Sequence, residues 1–171
     1  MSNTNSSYDD DDDIYDDIDD TQDNKFLTFL LNNENFAIEI EYIIEIIGIQ
    51  KITHIPDLPL FIKGIVNLRG KVIPIIDLRM RFGFEQIDFD ERTCIIILNF
   101  NEQFYGIIVD RVLEVVFILE EDIDKEAINE FNVFNKFIKN VSKFNDKILA
   151  NLDVEKVIDI KELSNIKQNS N

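Results

Sequence analysis

The sequence is poor in the residues that build disulfides and metal sites. Its 171 residues include one cysteine, Cys94, and one histidine, His54. A single cysteine excludes a disulfide within the chain and a metal cluster held by cysteines alone. A single histidine excludes a site built on a histidine pair, and it allows a Ser-His-Asp triad only if His54 belongs to it.

Alanine and long apolar stretches are also scarce. Three alanines stand against 30 isoleucines and 14 phenylalanines, which excludes an ordinary helix bundle and favours strands. No apolar stretch approaches the roughly 18 residues of a membrane span. The N-terminus carries aspartates where a secretory signal has positive charge, so we expect a protein of the cytoplasm.

The sequence contains few basic residues. Lys and Arg total 17 and Asp and Glu total 34, which gives a net charge of −17. Such a chain repels phosphate backbones and anionic lipid surfaces, so we expect neither nucleic-acid binding nor membrane insertion. Residues 1–24 hold ten aspartates and no basic residue, and we expect a disordered acidic tail. A solubilising role for this tail is favoured over an arm that binds a basic partner.

The rest of the chain consists of short apolar runs that repeat. Residues 36–46 resemble residues 105–115 at an offset of 69, and residues 61–63 (FIK) recur at 137–139 at an offset of 76. Further matches at the second offset pair Lys71 with Lys147 and Asp77 with Asp153. A duplicated run of short strands predicts two small packed β-barrels.

The repeat also suggests boundaries. We expect barrel one over about residues 25–90 and barrel two over about 93–155, with a shared interface because neither half is large enough to be comfortably stable alone. Apolar spacing near the end predicts a short C-terminal helix over about 154–166.

No constellation typical of an enzyme is present. The sequence lacks a phosphate-binding loop, a G-x-S-x-G elbow and an H-E-x-x-H motif. His54 stands just before Ile55-Pro56 in a loop-like stretch, and we expect it to be structural or solvated rather than a ligand. Cys94 begins an apolar run, so we expect a small buried thiol. Asp77 and Asp110 each follow an apolar strand, where carboxylates usually cap turns. We therefore predict no catalytic residue, no metal and no cofactor.

One long string is highly specific. Residues 61–79 (FIKGIVNLRGKVIPIIDLR) resemble the signature segment of the CheW-like family, the coupling proteins of bacterial chemotaxis. Residues 45–48 (EIIG), 52–56 (ITHIP) and 106–112 (GIIVDRV) are similar to other segments of that family, in the same order. The resemblance covers about residues 25–163. It departs from the family pattern at Ile47, where arginine is common, and at Ala37, Asn140 and Asn145, where glycine is common.

The resemblance implies a fold and partners. Members of the family are two SH3-like five-stranded β-barrels related by a pseudo-twofold axis, without catalytic activity. They bridge the cytoplasmic tips of methyl-accepting chemoreceptors to the histidine kinase CheA, and so work at receptor arrays beside the inner membrane. By resemblance the receptor-binding surface includes Ile43, Glu45, Ile46, Ile47 and Arg69, with Glu45 and Arg69 paired; the kinase-binding residues are not assigned.

Two other functions stay open from the sequence. One is a paralogue of the family that binds the kinase but no receptor. The other is a ligand-binding or hydrolytic β-barrel that shares the fold but not the role, since fold alone does not determine function. That reading requires convergent polar groups, which the sequence does not show.

Overall fold

The structure is a computed structural model that describes residues 23–127, 136–159 and 161. Almost all of the predicted acidic tail lies outside the described residues. The strands are β1 Lys25–Leu31, β2 Glu34–Glu39, β3 Ile43–Gly48, β4 Ile62–Leu68, β5 Lys71–Asp77, β6 Cys94–Phe100, β7 Gln103–Val109, β8 Arg111–Phe117, β9 Ile123–Asp124, β10 Ile138–Phe144 and β11 Lys147–Leu152. Two short α-helices, α1 Leu78–Arg81 and α2 Val154–Ile158, and two 3₁₀ turns, Ile40–Tyr42 and Glu120–Asp122, complete the described elements.

The strands form two sheets, as the predicted all-β fold requires. A five-stranded sheet has the order β3-β6-β7-β5-β4, and a six-stranded sheet has the order β8-β1-β2-β11-β10-β9. We call the first sheet barrel one and the second barrel two. No helix in the part of the chain that the structure describes is long and apolar enough to cross a membrane.

The predicted division of the barrels is wrong in one respect. Barrel one is not residues 25–90 and barrel two is not 93–155, because each barrel contains a hairpin from the other half. The hairpin β1–β2 pairs with β8 and β11, and the hairpin β6–β7 pairs with β3 and β5. The exchange has a physical reason: it places one face of each hairpin against the other barrel, where a half by itself would expose it to water.

The pairing registers confirm the duplication. In barrel one Ile43 lies opposite Leu98, and in barrel two Val112 lies opposite Phe29, which is the same pair shifted by 69 residues. Each of these ladders has an irregularity at the equivalent place. Both barrels also contain one parallel pair, β5 with β7 and β11 with β2. The two barrels are therefore related by an internal pseudo-twofold symmetry.

The buried apolar side chains of the described residues form three clusters. The largest joins residues of both sheets, among them Phe29 and Phe36 from barrel two and Ile96 and Ile107 from barrel one. The other two fill the interiors of barrel one and barrel two separately. The first interior is tightly packed at Gly106, where a Cβ would lie 2.5 Å from Ile75 Cδ1 and would force that side chain to move. A shared central core explains why the barrels form one unit.

The helices lie side by side at this central core. Arg81 at the end of α1 stacks on the Phe61 and Phe137 rings at 4.0 and 4.8 Å, and these phenylalanines are themselves equivalent at the offset of 76. Its guanidinium also donates to the carbonyls of Val157, at 3.1 Å, and Lys156, at 3.3 Å, in α2. One side chain thus holds the two helices together.

The remaining sequence predictions concern Asp77, the C-terminal helix, His54 and Cys94. Asp77 caps α1 by accepting from the backbone N–H groups of Arg79 and Met80, as expected. The predicted helix at 154–166 is seen as α2, which ends at Ile158; residues 160 and 162–166 lie outside the described residues. His54 is exposed. Cys94, the first residue of β6, is half-buried against the central core rather than fully buried.

Candidate interaction surface

A bidentate ion pair marks the edge of barrel one. Arg69 Nη1 lies 2.6 Å from Glu45 Oε1, and Arg69 Nη2 lies 2.8 Å from Glu45 Oε2. Glu45 belongs to β3 and Arg69 to the turn after β4, and these strands are the two ends of the sheet order. The pair therefore joins the two ends of the sheet, and its predicted existence is confirmed.

The turn that carries Arg69 has a left-handed backbone. Arg69 has a φ of +50° and Gly70 a φ of +84°, and Asn67 Oδ1 accepts a hydrogen bond from the Gly70 N–H at 3.0 Å. The other hairpin turns have the same left-handed backbone, so this is the ordinary two-residue turn of the fold; they lie at Asn32 and Asn33, Asn101 and Glu102, and Asn145 and Asp146. The turn places Arg69 at the end of β4, from which its guanidinium reaches Glu45 of β3.

The charges of the pair stabilise each other. The hydrogen bonds from Arg69 are the main cause that lowers the pKa of the Glu45 carboxyl below its ordinary value, and the same bonds raise the pKa of Arg69. The Arg69 side chain is 72% exposed and that of Glu45 only 24%. A partner that approaches this edge would thus meet a fixed cationic plane with its carboxylate held behind it.

The predicted isoleucines divide between core and surface. Ile43 packs against the central core and Ile47 against the interior of barrel one. Ile46 is 43% exposed and Ile44 is 48% exposed. Ile44 was not among the residues predicted from the sequence. The exposed apolar row of β3 is therefore Ile44 and Ile46, and Ile43 and Ile47 support it from behind.

Barrel two presents an equivalent row on β8. Leu113, Val115 and Phe117 are exposed by 37%, 55% and 55%. The first two are the counterparts of Ile44 and Ile46 at the offset of 69. Sequence reasoning missed this row, although the offset contained the signal. Exposed apolar side chains in rows on both barrels are typical of a surface that binds another protein.

A second ion pair fixes the start of β8. Asp110 precedes this strand, and its Oδ1 and Oδ2 accept from Arg79 Nε at 2.8 Å and Arg79 Nη2 at 2.7 Å. Asp110 Oδ2 also accepts from the Asn32 N–H at 2.8 Å in the β1–β2 turn. Arg79 belongs to α1, so this carboxylate ties together three segments that come from both halves of the chain. Its role is larger than the turn cap predicted from sequence.

Within residues 23–127 and 136–159, no group of three or more His, Cys, Asp and Glu side chains could hold a metal ion. What the geometry provides is a pair of apolar rows and a fixed arginine. This arrangement suits protein binding.

Comparison with known proteins places these features in a family. The Chemotaxis protein CheW of Klebsiella aerogenes is 35% identical over 140 residues, which are 82% of this chain and 84% of that protein. The protein of the same name from Helicobacter pylori is 32% identical over 136 residues, 78% of this chain and 81% of its own length. The crystal structure of the scaffolding protein TtCheW from Thermoanaerobacter tengcongensis, 33% identical, superposes with a TM-score of 0.76 and covers 81% of this chain and 94% of that one.

The matched region includes nearly every described residue. It extends from residue 25 to residue 162 and contains both barrels, the Glu45–Arg69 pair and both apolar rows. With a domain match of this length, and with relatives above 30% identity that share most of their own length, the chain belongs to the CheW-like domain family.

Proposed function

We propose that this protein is a non-catalytic coupling protein of chemotaxis, which bridges chemoreceptor cytoplasmic tips to the histidine kinase CheA. The observation that carries the proposal is the fixed arginine beside the exposed row of β3, on a chain of the CheW-like family. The relatives are named for chemotaxis, and the solved one is described as a scaffolding protein. The protein then acts in the cytoplasm and is recruited to receptor arrays, and residues 25–163 carry the activity.

Receptor binding is assigned to the surface of Ile43, Glu45, Ile46, Ile47 and Arg69. The exposed row offers apolar area to one face of a receptor helix, and the Arg69 guanidinium offers hydrogen bonds that fix its register. Ile44 extends the same surface because it is exposed next to Ile46. The ion pair matters here for position, since it holds the arginine at the edge of the row.

A pair of charge-introducing variants tests the assignment. Ile46→Asp places a charge in the β3 row, and Ile87→Asp places the same charge at an equally exposed isoleucine, 45% against 43%, in a loop outside both rows. We expect Ile46→Asp to abolish co-sedimentation with receptor-containing membranes and Ile87→Asp to leave it intact. Equal binding by the two variants, with both folded by circular dichroism, would show that the receptor docks elsewhere.

Bridging requires both partners to be held together. Receptor membranes, CheA and this protein should therefore co-sediment as a ternary complex, and kinase activity in the pellet should rise when the protein is added. If soluble receptor fragment displaced the protein from CheA instead, the bridging function would be refuted. Binding to CheA with no binding to receptors would identify a paralogue that serves the kinase only.

A further inference from the structure

Barrel two contains the counterpart of Glu45 and lacks the counterpart of Arg69. At the offset of 69 Glu45 corresponds to Glu114 in β8, and at the offset of 76 Arg69 corresponds to Asn145 in the turn after β10. Glu114 is exposed, and among the described residues its carboxylate has no ion pair and no hydrogen bond. The carboxylate that an arginine holds in barrel one is therefore unpaired in barrel two.

The backbone around these positions is built alike in the two barrels. Asn145 and Arg69 are each the first residue of a two-residue turn and have φ values of +46° and +50°. The strands before these turns, β10 and β4, each form a further bridge at the equivalent residue, Val141 in one and Ile65 in the other. An arginine in the β10–β11 turn would therefore start from the same place in its barrel as Arg69 does.

Glu114 is held in position by its own backbone. Its N–H donates to Thr28 Oγ1 at 3.2 Å, and the same hydroxyl donates to its carbonyl at 2.9 Å. Its neighbours along β8, Leu113 and Val115, are 37% and 55% exposed. Because β8 is the end strand of its sheet, a segment of another protein that lies beside it can contact both faces of the strand. The strand thus offers a fixed carboxylate between two exposed apolar side chains.

We propose that β8 is a docking surface for a partner protein that supplies the missing arginine, between apolar residues that cover Leu113 and Val115. Barrel one shows the chemistry, since its carboxylate forms a bidentate pair with Arg69. Arginine is favoured over lysine because its planar fork matches both carboxylate oxygens. The net charge of −17 attracts a basic partner. Bridging, the proposed function on which this proposal rests, requires such a second surface besides that of β3.

Two substitutions in the full chain test the proposal. Glu114→Gln removes the charge and keeps the shape of the side chain, and Asn145→Arg supplies the arginine from the chain's own turn. CheA and receptor-containing membranes are titrated separately by co-sedimentation, and both variants should weaken the binding of the same partner by about threefold, the weight of one exposed ion pair. Asn101→Arg makes the same change at the same position of the β6–β7 turn and should leave both affinities unchanged.

The unmodified protein separates this proposal from the proposed function. If it binds both partners and the two variants bind them equally well, the docking surface is wrong and the bridging function stands; if it binds neither partner, both are wrong. Loss of self-association in Glu114→Gln, measured by analytical ultracentrifugation with both partner affinities unchanged, would assign β8 to a second copy of the chain and overturn the proposal.

Thermal unfolding checks the geometry without any partner. Asn145→Arg should raise Tm by about 1–3 °C relative to Asn101→Arg, because an arginine at this turn pairs with Glu114. The rise should disappear when Glu114→Gln is added. A rise that is absent, or that persists without the carboxylate, would show that the two barrels are not equivalent at this place and would overturn the proposal.

Discussion

Asp110→Ala should destabilise the protein more than the substitution of an exposed aspartate by alanine. The carboxylate accepts three hydrogen bonds, from Arg79 Nε, Arg79 Nη2 and the Asn32 N–H, at 2.7–2.8 Å. The side chains of Arg79 and Asp110 are only 12% and 22% exposed. Removing Asp110 leaves a largely buried guanidinium whose remaining described hydrogen bond is to the Glu85 carbonyl at 3.0 Å.

The magnitude follows from these contacts. A hydrogen bond to a charged group contributes about 1.5–3 kcal/mol, and removal of one partner from a fully buried pair costs about 3–5 kcal/mol. Because Asp110 is about a fifth exposed, water replaces part of the lost interaction, and we expect a loss of about 2–4 kcal/mol in the free energy of unfolding. For a chain of this size that corresponds to a fall in Tm of roughly 5–15 °C.

Urea denaturation followed by circular dichroism measures the loss, with Asp88→Ala in an exposed loop as the matched control. A double-mutant cycle with Arg79→Ala isolates the pair, and its coupling energy should exceed about 1 kcal/mol. A loss for Asp110→Ala no larger than that of the control, or additive losses in the cycle, would refute the reasoning. The carboxylate would then be solvated in solution and would not hold the start of β8.

Three further predictions rest on separate contacts. Arg69→Ala should raise the pKa of Glu45 toward its ordinary value, as measured by a carboxyl NMR titration. In the unmodified protein the pKa of Glu45 is lowered, so the pair stabilises the folded state at pH values above the pKa that Glu45 has in the unfolded chain. This stabilisation is lost as the pH falls through the pKa that Glu45 has in the folded protein. Arg81→Ala removes ring stacking and two bonds to α2, and calorimetry should show a loss of about 1–3 kcal/mol. Deletion of residues 1–22 should leave Tm unchanged or slightly higher, because it removes nine aspartates and so reduces the repulsion between negative charges. The deletion must retain Asn24, because its carbonyl accepts a hydrogen bond from the Ile118 N–H.

The equivalence of strands in the two halves could be predicted from the sequence because the sequence itself shows the duplication. The offset of 69 maps β1 onto β6 residue for residue, and the offset of 76 does the same for β4 and β10. An offset shows which strands are equivalent, and it contains no information on which copy a strand pairs with. The exchange of hairpins was therefore invisible, and the barrel boundaries drawn at residues 90 and 93 were wrong.

The candidate surface could be predicted where a charged residue stands among apolar ones, and it could not be predicted within a run of isoleucines. Glu45 and Arg69 stand out as charges in an apolar context, and their pairing is confirmed. Residues 43–49 contain five isoleucines, so no alternation of apolar and polar residues reveals which of them face water. In the structure the side chains of β3 alternate regularly between the two faces, so Ile44 and Ile46 are exposed together and Ile43 lies on the other face.

The exchange of hairpins also bears on the proposed bridging of two partners. Because β6 and β7 of the second half complete barrel one, and β1 and β2 of the first half complete barrel two, neither barrel exists without the other half. The central core packs against strands of both barrels, so the apolar rows of β3 and β8 belong to one folded unit. If the barrels were joined by a flexible linker, binding of partners to both rows would cost conformational entropy, because the barrels would have to be ordered relative to each other. With exchanged hairpins the barrels are ordered when the chain folds, which favours the binding of two proteins by one scaffold.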